Sequence, residues 1–166
     1  MRSVTIRWYH WLNALPIIAI CVAIIATLWL LRMIRFHSKL EGLPIWLFTA
    51  SDHLKRIWDL VPDGKIGGSR YIAQSLSVFI ITAWLQSCVL KHELCHTKQI
   101  FQYGLLFPIL YGMYWVINFS VNCICEQRVA AETFWQYLLR LALYAYQEIP
   151  FELEATRAET IAEFVI

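Results

Sequence analysis

The chain of 166 residues is strongly apolar, since 59% of its residues are hydrophobic and only 16% are charged. Soluble domains carry about 25% charged residues, so this composition predicts an integral membrane protein, and the length fits a single domain. The formal net charge of +2 gives no reason to propose a nucleic-acid partner, and the five cysteines show no disulfide framework.

The first apolar stretch covers residues 14–31 and contains no charged side chain. Its length meets the requirement for a transmembrane helix. Arg32 and Arg35 follow it, where a signal peptide would have a cleavage site of small residues, so we expect a retained membrane anchor. The residues before it are basic and aromatic, as is typical of the membrane interface, and His10 is expected to lie there too.

Residues 43–60 mix apolar and polar side chains, which predicts an amphipathic helix at the membrane interface, capped by Ser51 or Asp52. Pro62-Asp63-Gly64 and Gly67-Gly68-Ser69 are turn signals that follow this segment. They mark a flexible joint within one membrane-embedded domain. The parts of that domain, residues 1–166, are an N-terminal anchor and interfacial segment, residues 1–62, and a catalytic half, residues 71–166.

Residues 71–90 carry no charge and are long enough to cross a membrane. They continue without a helix-breaking residue into Lys91, which predicts one long helix whose membrane-buried part ends before His92. A further apolar run, residues 104–121, either crosses the membrane or returns as a hairpin. With the helical apolar stripe of residues 133–146, these segments predict an all-α, multi-helix integral membrane protein.

Basic residues concentrate between the first and second apolar runs. They are Arg32, Arg35, Lys39, Lys55, Arg56, Lys65 and Arg70. An excess of Lys and Arg marks the cytoplasmic side, so we expect this segment inside the cell and the N-terminus outside. If residues 71–90 cross the membrane, His92 lies at the outer face. If they form only a buried or re-entrant helix, it stays inside.

The stretch His92-Glu93-Leu94-Cys95-His96 fits the H-E-x-x-H pattern of zinc hydrolases. Two histidines at i and i+4 project from one helix face, so both imidazoles reach one Zn²⁺ at about 2.0–2.1 Å. Glu93 lies beside the metal and can take a proton from a zinc-bound water, whose pKa falls to about 7. The alternative is a helix end with two polar histidines. Cys95 is expected to pack, because a fourth protein ligand would close the water site.

A catalytic zinc needs a third protein ligand, and the candidates follow Pro150, which suits the first turn of a new helix. Glu152 lies in that turn, and Glu154 lies on a different face. Glu154 precedes Arg157 by three residues, which is typical of a solvated ion pair. Small side chains follow Glu152 at helical spacing and permit close approach to a second helix. Glu152 is therefore preferred, and Glu154 is the alternative.

These residues resemble the gluzincin metalloproteases, which have two zinc-binding histidines on one helix and a glutamate on a later one. More narrowly, K-H-E-L-C-H-T-K-Q, L-L-F-P-I-L-Y and A-Y-Q-E-I-P-F-E-L-E-A resemble small bacterial membrane proteins with H-E-x-x-H-x-x-Q and A-Y-x-x-I-P-F-E-x-E-A. The resemblance covers residues 80–163, about half the chain, and implies a zincin-like helix pair and a bacterial inner-membrane location. The zinc ligands and the general base that it implies are His92, His96, Glu152 and Glu93. Many gluzincins have an Asp four residues after the ligand glutamate to support a histidine, where this chain has Thr156.

The sequence thus predicts a membrane-bound, Zn²⁺-dependent peptidase that acts on a peptide or protein substrate. Tyr144 or Tyr146 is a candidate hydrogen-bond donor to an oxyanion. The alternative from another class is a zinc-stabilised membrane scaffold or binding protein without turnover, which would have no use for Glu93. A transporter or channel is disfavoured because ionisable residues are nearly absent from the apolar runs.

Overall fold

The computed structural model describes residues 8–40, 44–59, 65–66, 69–70, 73–83, 86–129 and 132–160. The elements in these ranges are α1 (Trp8–Leu30), β1 (Ile34–Lys39), β2 (Trp46–Ala50), α2 (Asp52–Asp59), β3 (Lys65–Ile66), β4 (Ser69–Arg70), β5 (Ala73–Leu76), β6 (Phe79–Thr82), α3 (Ser87–Tyr103), α4 (Leu106–Cys125), α5 (Phe134–Gln147) and α6 (Pro150–Glu159). The prediction of a mostly helical chain is confirmed, but the all-α class is not, because four of the strands form a sheet.

The sheet has the strand order β1-β2-β6-β5. β1 pairs antiparallel with β2, β2 pairs parallel with β6, and β6 pairs antiparallel with β5. In the parallel pair, Trp46 lies opposite Phe79 and Thr49 lies opposite Thr82. This pair joins a strand that precedes the predicted joint to a strand that follows it. β3 and β4 form a separate two-stranded ladder.

The predicted interfacial helix over residues 43–60 is wrong in its first part. The chain there forms β2 and then the short helix α2, whose first turn is capped by Ser51. The Leu54 N–H donates to Ser51 Oγ at 3.4 Å, so of the two predicted caps the structure uses Ser51. The apolar residues of β2 are buried in the sheet, whereas a membrane-surface helix would leave an apolar face open.

The predicted long helix over residues 71–90 is also wrong. Two strands, β5 and β6, form a hairpin in this segment, and α3 begins only at Ser87. The hairpin turns at Ser77, which has a φ of 59°. A short apolar run fits a buried strand as well as a helix, and Ser-Val is not a recognised turn signal. These residues therefore do not carry His92 across a membrane as a helical span.

Side chains on β6 alternate between the two faces of the sheet, and a helix covers each face. Ile81 packs in a cluster with Ile25 of α1, whereas its neighbour Ile80 packs in a cluster with Leu90 of α3. Full burial of one such side chain contributes about 1.5–3 kcal/mol. The sheet thus lies between α1 and α3, and it fixes the position of α3 relative to α1.

α1 is covered on one face only. Ala14, Cys21 and Ile25 share that face and are between 0% and 7% exposed. Many other apolar side chains of this helix are open, at 40% exposure or more. Its open side chains include Leu12, Leu15, Ile20, Val22, Ile24, Trp29 and Leu30.

By length and composition, α1 and α4 are each apolar enough to cross a membrane. Little of either helix is covered by the rest of the protein. In the most apolar stretch of α1 only 17% is buried, and in that of α4 only 6% is buried. The open apolar side chains of α4 include Leu106, Ile109, Met113, Val116, Ile117, Val121 and Ile124. Contiguous apolar surface of this kind marks a membrane or protein contact.

The remaining face of α4 donates hydrogen bonds to α5 and to the corner after it. Its donors Trp115, Asn118 and Asn122 recur every three or four residues, on one face of the helix. Their acceptors, at 3.2, 3.2 and 3.3 Å, are the carbonyl oxygens of Ala142 and Ala145 and Oε2 of Glu148. These contacts fix the end of α5, and Pro150 opens α6 there as predicted.

The corner between α3 and α4 is in close contact with α1. Gly104 has a φ of 57°, and a Cβ added there would lie 2.6 Å from the carbonyl oxygen of Asn13. A residue with a side chain would be strained and would also clash, so glycine is required. The contact fixes the corner between α3 and α4 against the first turns of α1.

Candidate metal centre

α3 and α6 pack antiparallel, and their contact brings the three predicted ligands together. His92 Nε2 lies 3.3 Å from Glu152 Oε2, and His96 Nε2 lies 3.2 Å from Glu152 Oε1. The two Nε2 atoms are 3.1 Å apart. All three residues are buried, at 4%, 8% and 4% exposure. A buried His-His-Glu group whose ligand atoms lie within 4.8 Å of one another can hold a metal ion.

The chemistry of this donor set fits zinc, which binds two imidazole nitrogens and one carboxylate in its three-ligand sites. The other ring nitrogen of each histidine meets an acceptor oxygen at 2.8 Å: Glu159 Oε1 for His92 Nδ1, and Gln99 Oε1 for His96 Nδ1. These acceptors favour a proton on both Nδ1 atoms. Both Nε2 atoms then face the space beside Glu152, where a bound metal would replace any proton they carry.

Glu159 supports His92, a role that sequence analysis did not assign to it. Thr156, at the position where many gluzincins have an Asp, is exposed. Glu159 lies one helical turn further along α6 and seven residues after Glu152, so the two carboxylates share a face of the helix. The spacing of Glu152 and Glu159 was visible in the sequence and is the signal that would have found it.

Gln99 is buried at 1% exposure and joins α3 to the start of α6. Its Oε1 accepts from His96, while its Nε2 donates at 3.1 Å both to the carbonyl oxygen of Phe151 and to Glu154 Oε2. Glu154 therefore contacts Gln99 rather than the imidazoles. Of the two candidate third ligands, Glu152 is the one that lies against both histidines.

Small residues allow α3 and α6 to approach closely. Cys95, Ala155 and Ala158 are fully buried and form one cluster between the helices. Gln99 Nε2 also donates to the Cys95 sulfur at 3.7 Å. Burial raises the pKa of the Cys95 thiol to about 12, which favours the protonated thiol in the metal-free protein. Cys95 thus packs in the interface.

α4 closes one side of the His-His-Glu group. The Tyr111 hydroxyl donates to Glu152 Oε1 at 2.5 Å, and the Phe107 ring centroid lies 6.3 Å from that of His96. The Phe151 ring lies 5.1 to 6.4 Å from four other rings. We call these five rings the aromatic cover: Tyr103, Phe107, Tyr111, Tyr114 and Phe151.

Of the two tyrosines predicted as hydrogen-bond donors, only Tyr146 lies near the group. Its ring centroid is 6.2 Å from that of Tyr111, and its hydroxyl shares hydrogen bonds with Tyr111 and Glu152. Burial raises the pKa of Tyr146, so its hydroxyl stays protonated. Tyr144 instead lies beside Arg140, whose Cζ is 5.6 Å from the ring centroid. Tyr111, which sequence analysis did not single out, makes the closer contact.

Glu93 is buried at 4% exposure, next to His92 on α3. The backbone N–H of Ser75, on the edge strand β5, donates to its carboxylate. A cavity of about 240 Å³ opens beside Glu93. Its other lining residues are Ile80, Thr82, Gln86, Ser87, Val89 and Leu90. This volume is below the usual range for whole ligands and suits part of one.

The electrostatics separate the two buried carboxylates. Burial alone would raise the pKa of Glu152, but hydrogen bonds from His92 and His96 outweigh it and hold that pKa below its usual value. Burial raises the pKa of Glu93, and the charges of His96 and His92 offset this only in part. Burial would lower the pKa of His96, but its hydrogen bond to Glu152 outweighs it and raises that pKa. The environment thus favours the ionised form of Glu152, which ligation requires, while burial of Glu93 disfavours its charge in the metal-free protein.

Comparison with known proteins adds no family to this description. A scan against protein-family models finds no match, and searches of curated proteins and of solved structures find none. The functional argument therefore rests on the geometry and chemistry of the group itself.

Proposed function

We propose that this chain is a membrane-bound zinc metallopeptidase. In this proposal His92, His96 and Glu152 hold the metal, Glu93 is the general base, and the substrate is a peptide or protein. The donor set supports zinc because two imidazole nitrogens and a carboxylate converge in a buried space. The Nδ1 contacts of both histidines support it further, since they orient the rings toward that space.

The observation that carries the proposal is the environment of Glu93. It is a buried carboxyl beside the His-His-Glu group, it borders a cavity, and burial raises its pKa. A carboxyl in this position can accept a proton from a metal-bound water and later release it to a leaving group. A metal site that only stabilised the fold would have no use for such a group.

Bound zinc would supply Lewis-acid chemistry, lowering the pKa of a water and polarising the peptide carbonyl. Glu93 takes one proton from the attacking water at its carboxylate oxygen. It then gives that proton to the nitrogen of the leaving amine. One C–O bond forms, one C–N bond breaks, and Glu93 returns to its starting state.

The membrane part of the proposal rests on α1 and α4. Both helices leave apolar surface open along their length, which water would disfavour and a bilayer would cover. α4 has 20 residues and is thus about 30 Å long, the thickness of a hydrocarbon core.

A zinc-stabilised membrane scaffold is the second candidate. It is favoured by the closure of the group, since no member of the triad is more than 8% exposed and the aromatic cover lies against it. In such a protein, zinc would hold α3 to α6 without turnover. Glu93 would then be dispensable for every measurable property of the metal site.

The test compares wild type with Glu93→Gln after reconstitution in lipid vesicles, with Glu154→Gln as the control carboxylate. Metal is measured by elemental analysis, and hydrolysis by mass spectrometry of a random peptide library presented both free and membrane-anchored. We expect all three proteins to bind zinc and only Glu93→Gln to lose hydrolysis. Wild type that leaves every peptide intact, or that behaves like Glu93→Gln, would refute the peptidase and favour the scaffold.

A further inference from the structure

The position of the His-His-Glu group along α4, and hence its depth in a membrane that α4 crosses, follows from its contacts with the first turns of that helix. Tyr111 donates to Glu152 at 2.5 Å, and the Phe107 ring lies 6.3 Å from that of His96. Both residues come within five positions of Leu106, where α4 begins. At about 1.5 Å per residue, the group lies level with the first ~8 Å of the helix.

The ends of α4 define where a bilayer would begin. Gln102 is an exposed polar residue just before the helix, and residues 126–128 are exposed and polar or charged just after it. Between them the open face of α4 is apolar, from Leu106 to Ile124. Since α4 is about as long as the hydrocarbon core is thick, its first turns lie just inside one membrane boundary.

We infer that the substrate is itself a polypeptide anchored in the same membrane, cleaved at the boundary where its anchor leaves the bilayer. This inference rests on the proposed peptidase function. A free peptide has no reason to enter the hydrocarbon with unpaired backbone groups, and a helix within the bilayer hides its peptide bonds. The stretch where an anchor ends is extended and lies at the depth of Glu93 and the two histidines.

The aromatic cover lies near the same membrane boundary. Tyr103, at 37% exposure, is its most exposed ring and comes just before the start of α4. Tyrosine at this level is typical of a membrane interface.

A cleavage experiment distinguishes the depth of the site from simple enrichment of substrate at a surface. Protein in vesicles is given one random peptide library in three forms: free, fused directly to an apolar anchor of about twenty residues, and fused through a long Gly-Ser spacer. We expect cleavage of the direct fusion near its anchor, roughly 100-fold faster than of the free library, with the spacer fusion close to the free level.

Each outcome separates the two proposals. Equal cleavage of the direct and spacer fusions, or faster cleavage of the free library, would overturn the substrate class and leave the peptidase standing. No cleavage of any form would overturn the peptidase, and the substrate class with it. We expect Glu93→Gln to abolish cleavage of all three forms. That result would show that the products come from this site and not from a contaminating protease.

A second measurement reads depth without activity. Ile109 and Val116 are exposed on α4 and lie about 10 Å apart along it. Each is changed to Cys and labelled with a fluorophore, in a background where Cys88, Cys123 and Cys125 are Ser. Nitroxide lipids labelled near the top of the acyl chain should quench Ile109→Cys most, and those labelled near the chain end should quench Val116→Cys most. Quenching of Ile109→Cys by aqueous iodide, with none by either lipid, would overturn the inference.

Discussion

His92 and Glu159 are joined across the interface of α3 and α6, with His92 Nδ1 2.8 Å from Glu159 Oε1. Glu159 follows Glu152 by seven residues, so one face of α6 supplies both a carboxylate against the two Nε2 atoms and a carboxylate behind one imidazole. The Glu159 side chain is 21% exposed, which leaves its outer side open to water. Side chains of α6 thus contact both ring nitrogens of His92.

Glu159→Ala should lower zinc affinity by roughly 10–100-fold, because the carboxylate fixes the tautomer and orientation of His92. Thr156→Ala is the matched control on the same helix and should leave the affinity unchanged, since Thr156 is exposed. Zinc affinity is measured by competition with a chelating dye. Equal effects of the two substitutions would mean that Glu159 does not support the histidine.

Glu152→Ala should weaken zinc binding by more than the loss of Glu159 does, because it removes a ligand rather than the support of one. Glu154→Ala removes one hydrogen bond to Gln99, whose amide keeps the carbonyl of Phe151 as an acceptor. A hydrogen bond of this kind contributes about 0.5–1.5 kcal/mol, so we expect at most a roughly ten-fold change. The same dye competition measures both variants, and a larger loss in Glu154→Ala would reverse the choice of ligand.

The stability of the metal-free protein should depend on pH through His96 and Glu152. The pKa of His96 is raised above 6.5, so its contribution is complete below 6.5 and is lost as pH rises through the raised value. The pKa of Glu152 is lowered below 4.5, so its contribution is complete above 4.5 and is lost as pH falls through the lowered value. Between pH 4.5 and pH 6.5, therefore, His96 and Glu152 contribute most to the free energy of unfolding of the metal-free protein.

Zinc should offset the loss of stability that the metal-free protein shows as pH rises through the pKa of His96. The reason is that zinc binds the deprotonated imidazole, which the metal-free protein disfavours. The difference in Tm between zinc-loaded and metal-free protein should therefore grow as the pH rises from below 6.5 to above it. Thermal unfolding in detergent, with apo protein prepared by dialysis, measures this difference. A constant difference across that range would show that His96 does not exchange its proton for metal.

Ser77→Gly should stabilise the fold by about 1 kcal/mol. Ser77 has a φ of 59° and is fully buried, and no partner for its hydroxyl exists among the described residues. Glycine avoids the cost of about 1–2 kcal/mol that a side chain adds in the left-handed conformation. It loses about 0.5–1 kcal/mol more backbone entropy than serine on folding. The substitution also removes the buried hydroxyl that has no hydrogen-bond partner, which adds to the gain. Ser38→Gly, in β1, lacks this compensation and should destabilise. Chemical denaturation compares the two, and a loss in both would contradict the strain at Ser77.

The sequence predicted the second half of the fold better than the first. The start of α6 at Pro150 and the helix over residues 133–146 follow from strong local signals, and the structure has α5 over Phe134–Gln147. Thr133 and Gln136 form a capping box at the start of α5, which makes that helix locally determined. The three predicted ligands lie together, because the spacing of His92 and His96 defines one helix face.

The sheet could not be predicted because its central strands are apolar on both faces. β2 and β6 are covered by α1 and α3, so their residues read as unbroken apolar runs, as buried helices do. The parallel pairing of these two strands depends on a contact between segments about thirty residues apart. The role of Tyr111 likewise depends on a contact between helices that no local spacing indicates. The spacing of Glu152 and Glu159 places both on one face of α6, but the contact of Glu159 with His92 depends on how α6 packs against α3.

The Ser75 N–H that binds Glu93 comes from the sheet, whereas the metal-capable residues and the groups that orient them come from α3, α4 and α6. The sheet therefore contributes a contact to Glu93, whereas the contacts that orient the His-His-Glu group come from helices alone. The same strand, β5, also contacts α3 through Ser75 Oγ, which lies 3.0 Å from Thr97 Oγ1. A change in β5 would therefore act on Glu93 directly and on the two histidines only through the helix that carries all three.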